Sequence, residues 1–122
     1  MFEVWLSLVV IRSVNLERSV EFYQLLGLSF DKHQHGNGLV HFAGKAGQAT
    51  FEIYPQTAQA QSTTGTRLGF QVFDIDALVV RLEKKNVKVI TKPPASEWGR
   101  RAVVVDPDGH RVELIQLVDD ES

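Results

Sequence analysis

The pattern of apolar and polar positions in the first half of the chain predicts one βαβββ unit. An apolar, β-branched run at residues 3–11 is typical of a strand, and the apolar residues between Leu16 and Tyr23 follow helical spacing. Asn15 is a good helix N-cap, and Gly27 is suited to end the helix in a left-handed conformation. Three more strands are predicted, at residues 28–32, 39–42 and 49–54.

The second half of the chain repeats this order after a polar stretch of small residues at 56–65, which we interpret as a linker. A strand at 67–73 is followed by Asp74, a helix N-cap, and Asn86 is suited to a left-handed exit from that helix. The apolar positions of this helix share one face: Ile75, Leu78, Val79 and Leu82. Further strands are predicted at 87–90, at 101–105 and, after a tight turn at Asp106–Gly109, in the stretch that ends at Gln116.

The repeat predicts the fold class and the domain organisation. We predict an α+β fold in which two βαβββ modules, related by pseudo-twofold symmetry, form a cup-shaped mixed sheet. The modules span residues 1–55 and 66–118 and form a single domain over residues 1–122. Aligning the modules places Glu52 and Glu113 at matching positions of their last strands. A carboxylate in an apolar strand is costly unless something pairs with it, so both are candidate site residues.

Alternation along the strands places polar side chains on the sheet face that points away from the helices. This amphipathic face is expected to carry Leu8, Arg12, Glu52, Tyr54, Arg67, Gln71, Arg111 and Glu113. Tyr54, Arg12, Phe73 and the loop residue Trp98 are candidates to line a cavity for an aromatic or amphipathic molecule, although Trp98 is better suited to anchor its loop on the sheet rim. We interpret Arg100–Arg101 as solvated charges of an edge strand.

The composition is that of an ordinary globular chain and narrows the functional classes. The 122 residues carry a net charge of −2, with 43% hydrophobic and 23% charged residues, so neither a nucleic acid nor a membrane surface is an expected partner. The chain has no cysteine, which excludes disulfides, thiol nucleophiles and cysteine-bound metals. Patterns for acyl transfer, nucleotide binding and zincin chemistry are absent as well. We expect a cytoplasmic protein.

The chain resembles the vicinal oxygen chelate (VOC) superfamily, also called the glyoxalase/bleomycin resistance/dioxygenase family. The matching segments are Asn15–Tyr23 with Leu25–Gly27, Phe70–Leu78, Trp98–Arg101 and Asp106–Glu113, so the resemblance covers nearly the whole chain. It implies paired βαβββ modules whose sheets form a cup around a small-molecule site, and usually a homodimer.

The resemblance also implies where a metal would be held. Metal-using members such as glyoxalase I take one ligand from the first strand and one from the fourth strand of each module, usually His and Glu. These positions correspond here to Leu8, Glu52, Arg67 and Glu113. Leu8 has no lone pair and Arg67 is permanently cationic. We therefore predict no cofactor, and a divalent metal is disfavoured.

Histidines elsewhere in the chain are considered as replacement ligands. His33 and His35 have period-two spacing and can share a strand face, whereas the facing of His41 is not determined by the pattern. His110 is expected on the opposite strand face from Glu113. None of the four corresponds to a family ligand position, and we interpret all of them as surface or rim histidines.

Arg67 falls where the two carboxylates are expected to converge. We hypothesise that its guanidinium lies between Glu52 and Glu113 and replaces the metal. In the alternative interpretation, the three residues only hold the two modules together.

Two functions remain open at this point. The first is a metal-free protein, of the bleomycin-resistance kind, that sequesters an antibiotic-like or aromatic metabolite in the cup between the modules. Its ligand-binding residues would be Arg67, Glu52, Glu113, Tyr54, Trp98, Arg12 and Gln71. The second is an enzyme of the superfamily, a glyoxalase-like lyase or isomerase or a dioxygenase, with an unusual metal site or with Glu113 or Glu52 as a catalytic base.

Overall fold

The computed structural model describes residues 2–92 and 99–117 and shows two compact units that divide between Thr63 and Thr64, inside the predicted linker. The first unit contains β1 (Leu8–Ser13), α1 (Leu16–Leu26), β2 (Phe30–His33), β3 (His41–Ala46) and β4 (Ala49–Pro55). The second unit contains β5 (Leu68–Gln71), α2 (Ile75–Lys84), β6 (Lys88–Thr91), β7 (Gly99–Val105) and β8 (Arg111–Leu117). Each unit is a βαβββ module, which confirms the predicted α+β fold and the repeat.

Each unit forms a four-stranded mixed sheet, with the order β1-β4-β3-β2 in the first unit and β5-β8-β7-β6 in the second. In both sheets the first strand is parallel to the last, and the other neighbours are antiparallel. A parallel neighbour cannot be reached by a tight hairpin, so the helix carries the chain to the far edge of the sheet before the chain returns. The strands that carry Glu52 and Glu113, β4 and β8, are therefore inner strands.

The helix ends follow the predicted capping chemistry. The Asn15 side chain accepts a hydrogen bond from the Arg18 amide, and Gly27 ends α1 with a φ of 115°. Asp74 caps α2 in the same way, and Asn86 follows with a φ of 63°. Neither helix of residues 2–92 and 99–117 is long and apolar enough to cross a membrane. The cytoplasmic location stays a prediction.

Apolar residues that alternate with polar ones along the strands form the core under each helix. In the first unit, Tyr23 of α1 is fully buried, and its ring centre lies 4.9 Å from that of Phe51 on β4. In the second unit, Ile75 and Leu82 of α2 and Leu114 of β8 are fully buried. Burying one such side chain contributes about 1.5–3 kcal/mol, so the helix-side faces hold each module together.

The first predicted strand is wrong at its start. β1 begins at Leu8 and not at residue 3, because its partner β4 begins only at Ala49. The pairing extends no further back than a 2.8 Å hydrogen bond from the Thr50 amide to the Ser7 carbonyl. The apolar residues at 2–6 are consequently exposed.

Two other predicted strands are corrected in length. Gly44, which falls between the strands predicted at 39–42 and 49–54, lies inside β3, where it is opposite Phe30 of β2 and Phe51 of β4. β5 ends at Gln71, and Phe73 is almost fully exposed instead of continuing the strand. β2, β6 and β7 differ from their predicted bounds by at most two residues.

Candidate functional site

A row of stacked side chains crosses the polar face of the first unit's sheet. Arg12 of β1 is opposite Tyr54 of β4, and its guanidinium carbon lies 5.0 Å from the centre of the Tyr54 ring. The His41 ring of β3 stacks on the Tyr54 ring, with 4.1 Å between centres and 6° between planes. His33 of β2 is opposite His41. These four residues, the stacked row, present π faces and a cation, which attract flat aromatic molecules.

A groove with a volume of about 520 Å³ lies beside the stacked row, along β2, β3 and β4. Its wall includes His33 of the row together with Asp31, Ala43, Lys45 and Thr50. The Lys45 ammonium donates a 3.3 Å hydrogen bond to the Thr50 hydroxyl. The volume is within the usual range for small-molecule sites, about 300–1,000 Å³. Sequence patterns did not single out Asp31, Lys45 or Thr50, because their nearness to the row depends on strand register.

Glu52 lies on the same sheet face as the stacked row, as alternation predicted. It is opposite Ala43 of β3 and Val10 of β1, while its chain neighbours Phe51 and Ile53 are buried. Within the described part of the first unit, the Glu52 carboxylate has no hydrogen-bond or ion-pair partner. Glu52 is therefore a half-buried hydrogen-bond acceptor that lies next to Tyr54 on the polar face of β4.

Glu113 forms two ion pairs within the second unit. One is with Arg67, at 3.8 Å between Nη2 and Oε2, and the other is with Arg101 of β7. The interpretation of Arg101 as an edge-strand charge is wrong: β7 is an inner strand, and Val103 of β7 is opposite Glu113, which places Arg101 diagonally across from the carboxylate. Both guanidinium groups are more than half exposed, so these pairs contribute at most about 1 kcal/mol each. The proposed contact of Arg67 with Glu52 stays a prediction.

The remaining candidate residues are Gln71, Arg111 and Trp98. Gln71 lines a second, open groove of about 790 Å³ at the ends of β5 and β8, together with Phe73 and Gln116. The Gln116 side chain accepts a 2.9 Å hydrogen bond from the Ile75 amide and so connects β8 to the first turn of α2. Arg111 is exposed, and Trp98 lies outside the described residues.

Asp106 and His110 form a buried hydrogen-bonded turn. One Asp106 carboxylate oxygen accepts hydrogen bonds from the amides of Asp108, Gly109 and His110 at 2.9–3.0 Å. The other oxygen lies 2.8 Å from Nδ1 of His110, whose side chain is fully buried, so the interpretation of His110 as a surface histidine is wrong. Asp106, Asp108 and His110 have potential metal-ligand atoms within 4.8 Å of one another. Both Asp106 oxygens are already engaged in hydrogen bonds within the turn. We therefore assign the cluster a structural role.

The two units have the same βαβββ order and the same sheet topology, so this chain is a protein built from paired βαβββ modules. Residues 5–114 match the model of the Glyoxalase/Bleomycin resistance protein/Dioxygenase superfamily, and the chain belongs to this superfamily. The resemblance seen in the sequence is thereby confirmed.

The comparisons also include similar individual proteins. An uncharacterized protein of Mycolicibacterium smegmatis is 30% identical over 104 residues, which cover 85% of this chain and 86% of that protein. The crystal structure of TnmS3, an antibiotic binding protein from Streptomyces sp. CB03234, has a TM-score of 0.78 at 24% identity and covers 97% of this chain and 99% of that chain. A glyoxalase/bleomycin resistance protein from the same Streptomyces has a TM-score of 0.72 at 24% identity, with 92% and 100% covered. At these identities the two structures show a shared fold.

The residues at the family's metal-ligand positions do not fit a divalent ion. Leu8 is a half-exposed hydrocarbon side chain with no donor atom. Arg67 places a permanent cation 3.8 Å from Glu113, the ligand that would have to bind the ion. Each module thus keeps a single carboxylate at these positions, and one monodentate or bidentate carboxylate is a weak transition-metal ligand set.

Proposed function

We propose that this chain is a small-molecule-binding protein of the glyoxalase/bleomycin resistance type, which sequesters an antibiotic-like or aromatic metabolite without a metal at the family's ligand positions. The observation that carries the proposal is the stacked row beside the groove of the first unit. Tyr54 is already stacked on His41 at 4.1 Å and lies under the Arg12 cation at 5.0 Å, so a flat ligand would extend an existing stack.

Charge and family both support a binding role. Asp31 and Lys45 on the groove wall supply opposite charges that can orient a polar substituent of the ligand. The structural neighbour TnmS3 is an antibiotic binding protein, and it shares the fold of this chain. Leu8 and Arg67 remove the donor atoms that metal-dependent isomerases and dioxygenases of the superfamily use, which favours binding over that chemistry.

The binding proposal predicts a ligand-dependent rise in melting temperature. In a thermal-shift panel of aromatic antibiotics and aromatic metabolites, a molecule that binds should stabilise the protein by about 2.7 kcal/mol at 100 times its Kd. Tyr54→Leu keeps apolar volume but removes the ring that holds His41 and Arg12 in the stacked row, so it should weaken binding of that molecule by about tenfold, the equivalent of about 1.4 kcal/mol.

The matched control is Phe73→Leu, the same chemical change on an exposed ring at the second groove. It should leave affinity unchanged. If Phe73→Leu weakened binding while Tyr54→Leu did not, the ligand site would lie in the second unit. If no aromatic compound in the panel raised the melting temperature, the proposal itself would be contradicted.

An enzyme of the same superfamily is the second candidate, and Glu52 is the observation that favours it. Its carboxylate has no partner within the described part of the first unit and lies two residues from Tyr54 along β4, where a general base could reach a molecule bound at the stacked row. Glu113, by contrast, is held by Arg67 and Arg101 and is better suited to electrostatic support. Mass spectrometry of a bound ligand after incubation separates the two functions, because a binding protein returns it unchanged.

We also propose that the chain forms a homodimer. The exposed segment at its beginning contains Phe2, Val4, Trp5 and Leu6, which are 66–96% exposed, and such a run of apolar residues is unusual on an uncovered surface. Light scattering after gel filtration should give twice the mass of the 13.7 kDa chain, and Trp5→Glu should shift it to a single chain. A wild-type protein that runs as a single chain would refute this assembly.

A further inference from the structure

Three imidazoles come together on the polar face of the first unit. His33, His35 and His41, which we call the histidine triad, have ring centres 5.6–6.2 Å apart. His33 is the last residue of β2, and His35 follows two residues later with its ring stacked on that of His33, while His41 is opposite His33 on β3. The period-two spacing in the sequence suggested the first pair, but only the register between β2 and β3 adds the third ring. The interpretation of His41 as a surface histidine is wrong, since it is 3% exposed.

The His41 ring is held in the form that a metal ligand requires. Its Nδ1 lies 3.2 Å from the Leu39 carbonyl oxygen. A carbonyl can only accept a hydrogen bond, so Nδ1 carries the proton and Nε2 of the neutral ring keeps its lone pair. A histidine that donates its second ring N–H to a backbone carbonyl is the usual arrangement of a metal ligand, because the contact sets both tautomer and orientation.

The three ring centres are spaced nearly as in a coordinated set, but the ring nitrogens do not yet converge: among the described residues, the group whose ligand atoms lie within 4.8 Å of one another is Asp106, Asp108 and His110. Three imidazoles on one tetrahedral ion, with metal–nitrogen distances of about 2.0–2.1 Å, have ring centres about 5 Å apart. The triad rings are nearly parallel, with planes 20–37° apart, so binding requires His33 and His35 to turn about their side-chain bonds. Both are exposed and have room to do so.

We propose that the histidine triad binds one divalent transition-metal ion of the imidazole-preferring class, Zn²⁺, Ni²⁺ or Cu²⁺, through three ring nitrogens. Neutral imidazole suits these ions, and a set of three leaves a coordination position open. The site belongs to β2, β3 and the turn between them, whereas the family's ligand positions are in the first and fourth strands of each module. The metal would therefore adjoin Tyr54 and the groove without restoring the family's metal centre.

The test is titration of the chelator-treated, tag-free chain with Zn²⁺ and Cu²⁺ by calorimetry. Wild type should bind one ion per chain, and Cu²⁺ should bind more tightly than Zn²⁺. His33→Gln and His35→Gln each remove one of the three ligand nitrogens. Each should weaken binding by about tenfold or more. Bound Cu²⁺ should show nitrogen hyperfine splitting by paramagnetic resonance, and the splitting should become simpler in both variants.

Lys32→Gln is the matched control, because Lys32 is the β2 neighbour of His33 on the opposite strand face. It should bind metal as wild type does. All of these variants keep the buried turn of Asp106, Asp108 and His110. Saturable binding that survives in the double variant H33Q/H35Q, or no saturable binding in wild type, would overturn the proposal. Because the readout is the metal alone, it succeeds or fails independently of any aromatic ligand.

Discussion

Asp106→Ala is expected to lower the free energy of unfolding by about 3–5 kcal/mol, the cost of breaking a buried polar network. The substitution removes the acceptor of three backbone amides in the turn before β8 and the partner of the fully buried His110 ring. Each buried donor left without an acceptor costs about 1–3 kcal/mol, and the turn cannot open to water without displacing β8. Chemical denaturation followed by circular dichroism measures the change.

Two companion variants identify the cause of that loss. Asp106→Asn keeps one carbonyl oxygen for the backbone amides but offers His110 an N–H, so about half of the effect should remain. Glu21→Ala removes an exposed carboxylate on α1 and should change stability by no more than about 0.5 kcal/mol. If Asp106→Ala behaved like Glu21→Ala, the turn network would not stabilise the second unit.

Gly44→Ala should lower the free energy of unfolding by about 3 kcal/mol, because β3 passes too close to the chain before β2 for any side chain. A Cβ at position 44 would lie 2.2 Å from the Ser29 carbonyl oxygen and 3.2 Å from the Phe30 ring. The first contact is with backbone, which cannot be relieved by a change of rotamer. Strands β2 and β3 would have to separate, and the histidine triad and the groove lie on the same pair of strands.

Gly69→Ala is the matched control, since Gly69 is also a strand glycine but a Cβ there would have nothing within 4 Å. This change should be neutral or should stabilise by up to about 1 kcal/mol through reduced freedom of the unfolded chain. Equal effects of the two substitutions would show that loss of glycine flexibility, and not the contact with Ser29, determines the cost at position 44.

The fold was predictable because its signals are local. Asn15, Gly27, Asp74 and Asn86 act within one helical turn, and each has the predicted role in the structure. Strand ends were less predictable, since a strand ends where its neighbour ends. The apolar residues at 2–6 have strand composition, yet β4 offers them no partner.

The candidate site was predictable only in part. Alternation placed Glu52 beside Tyr54 and Glu113 in reach of Arg67, and the second contact is present at 3.8 Å. Arg101 and His41 required knowledge of which strands are neighbours and in what register, because both act across a strand pair.

The sequence by itself determined that this chain is a repeated βαβββ unit with two carboxylates at matching positions, and that Leu8 and Arg67 stand where the family resemblance implies the two other metal ligands. The repeat and the matching carboxylates depend on residue identity, capping and alternation, all of which operate over a few neighbouring residues. Only the tertiary structure decided that Arg12, Tyr54, His41 and His33 form one stacked row, that His35 completes a triad, and that Asp106 and His110 are buried together. The reason is physical: lateral neighbours in a sheet are set by pairing register, and one shift in register moves every side chain to the other face.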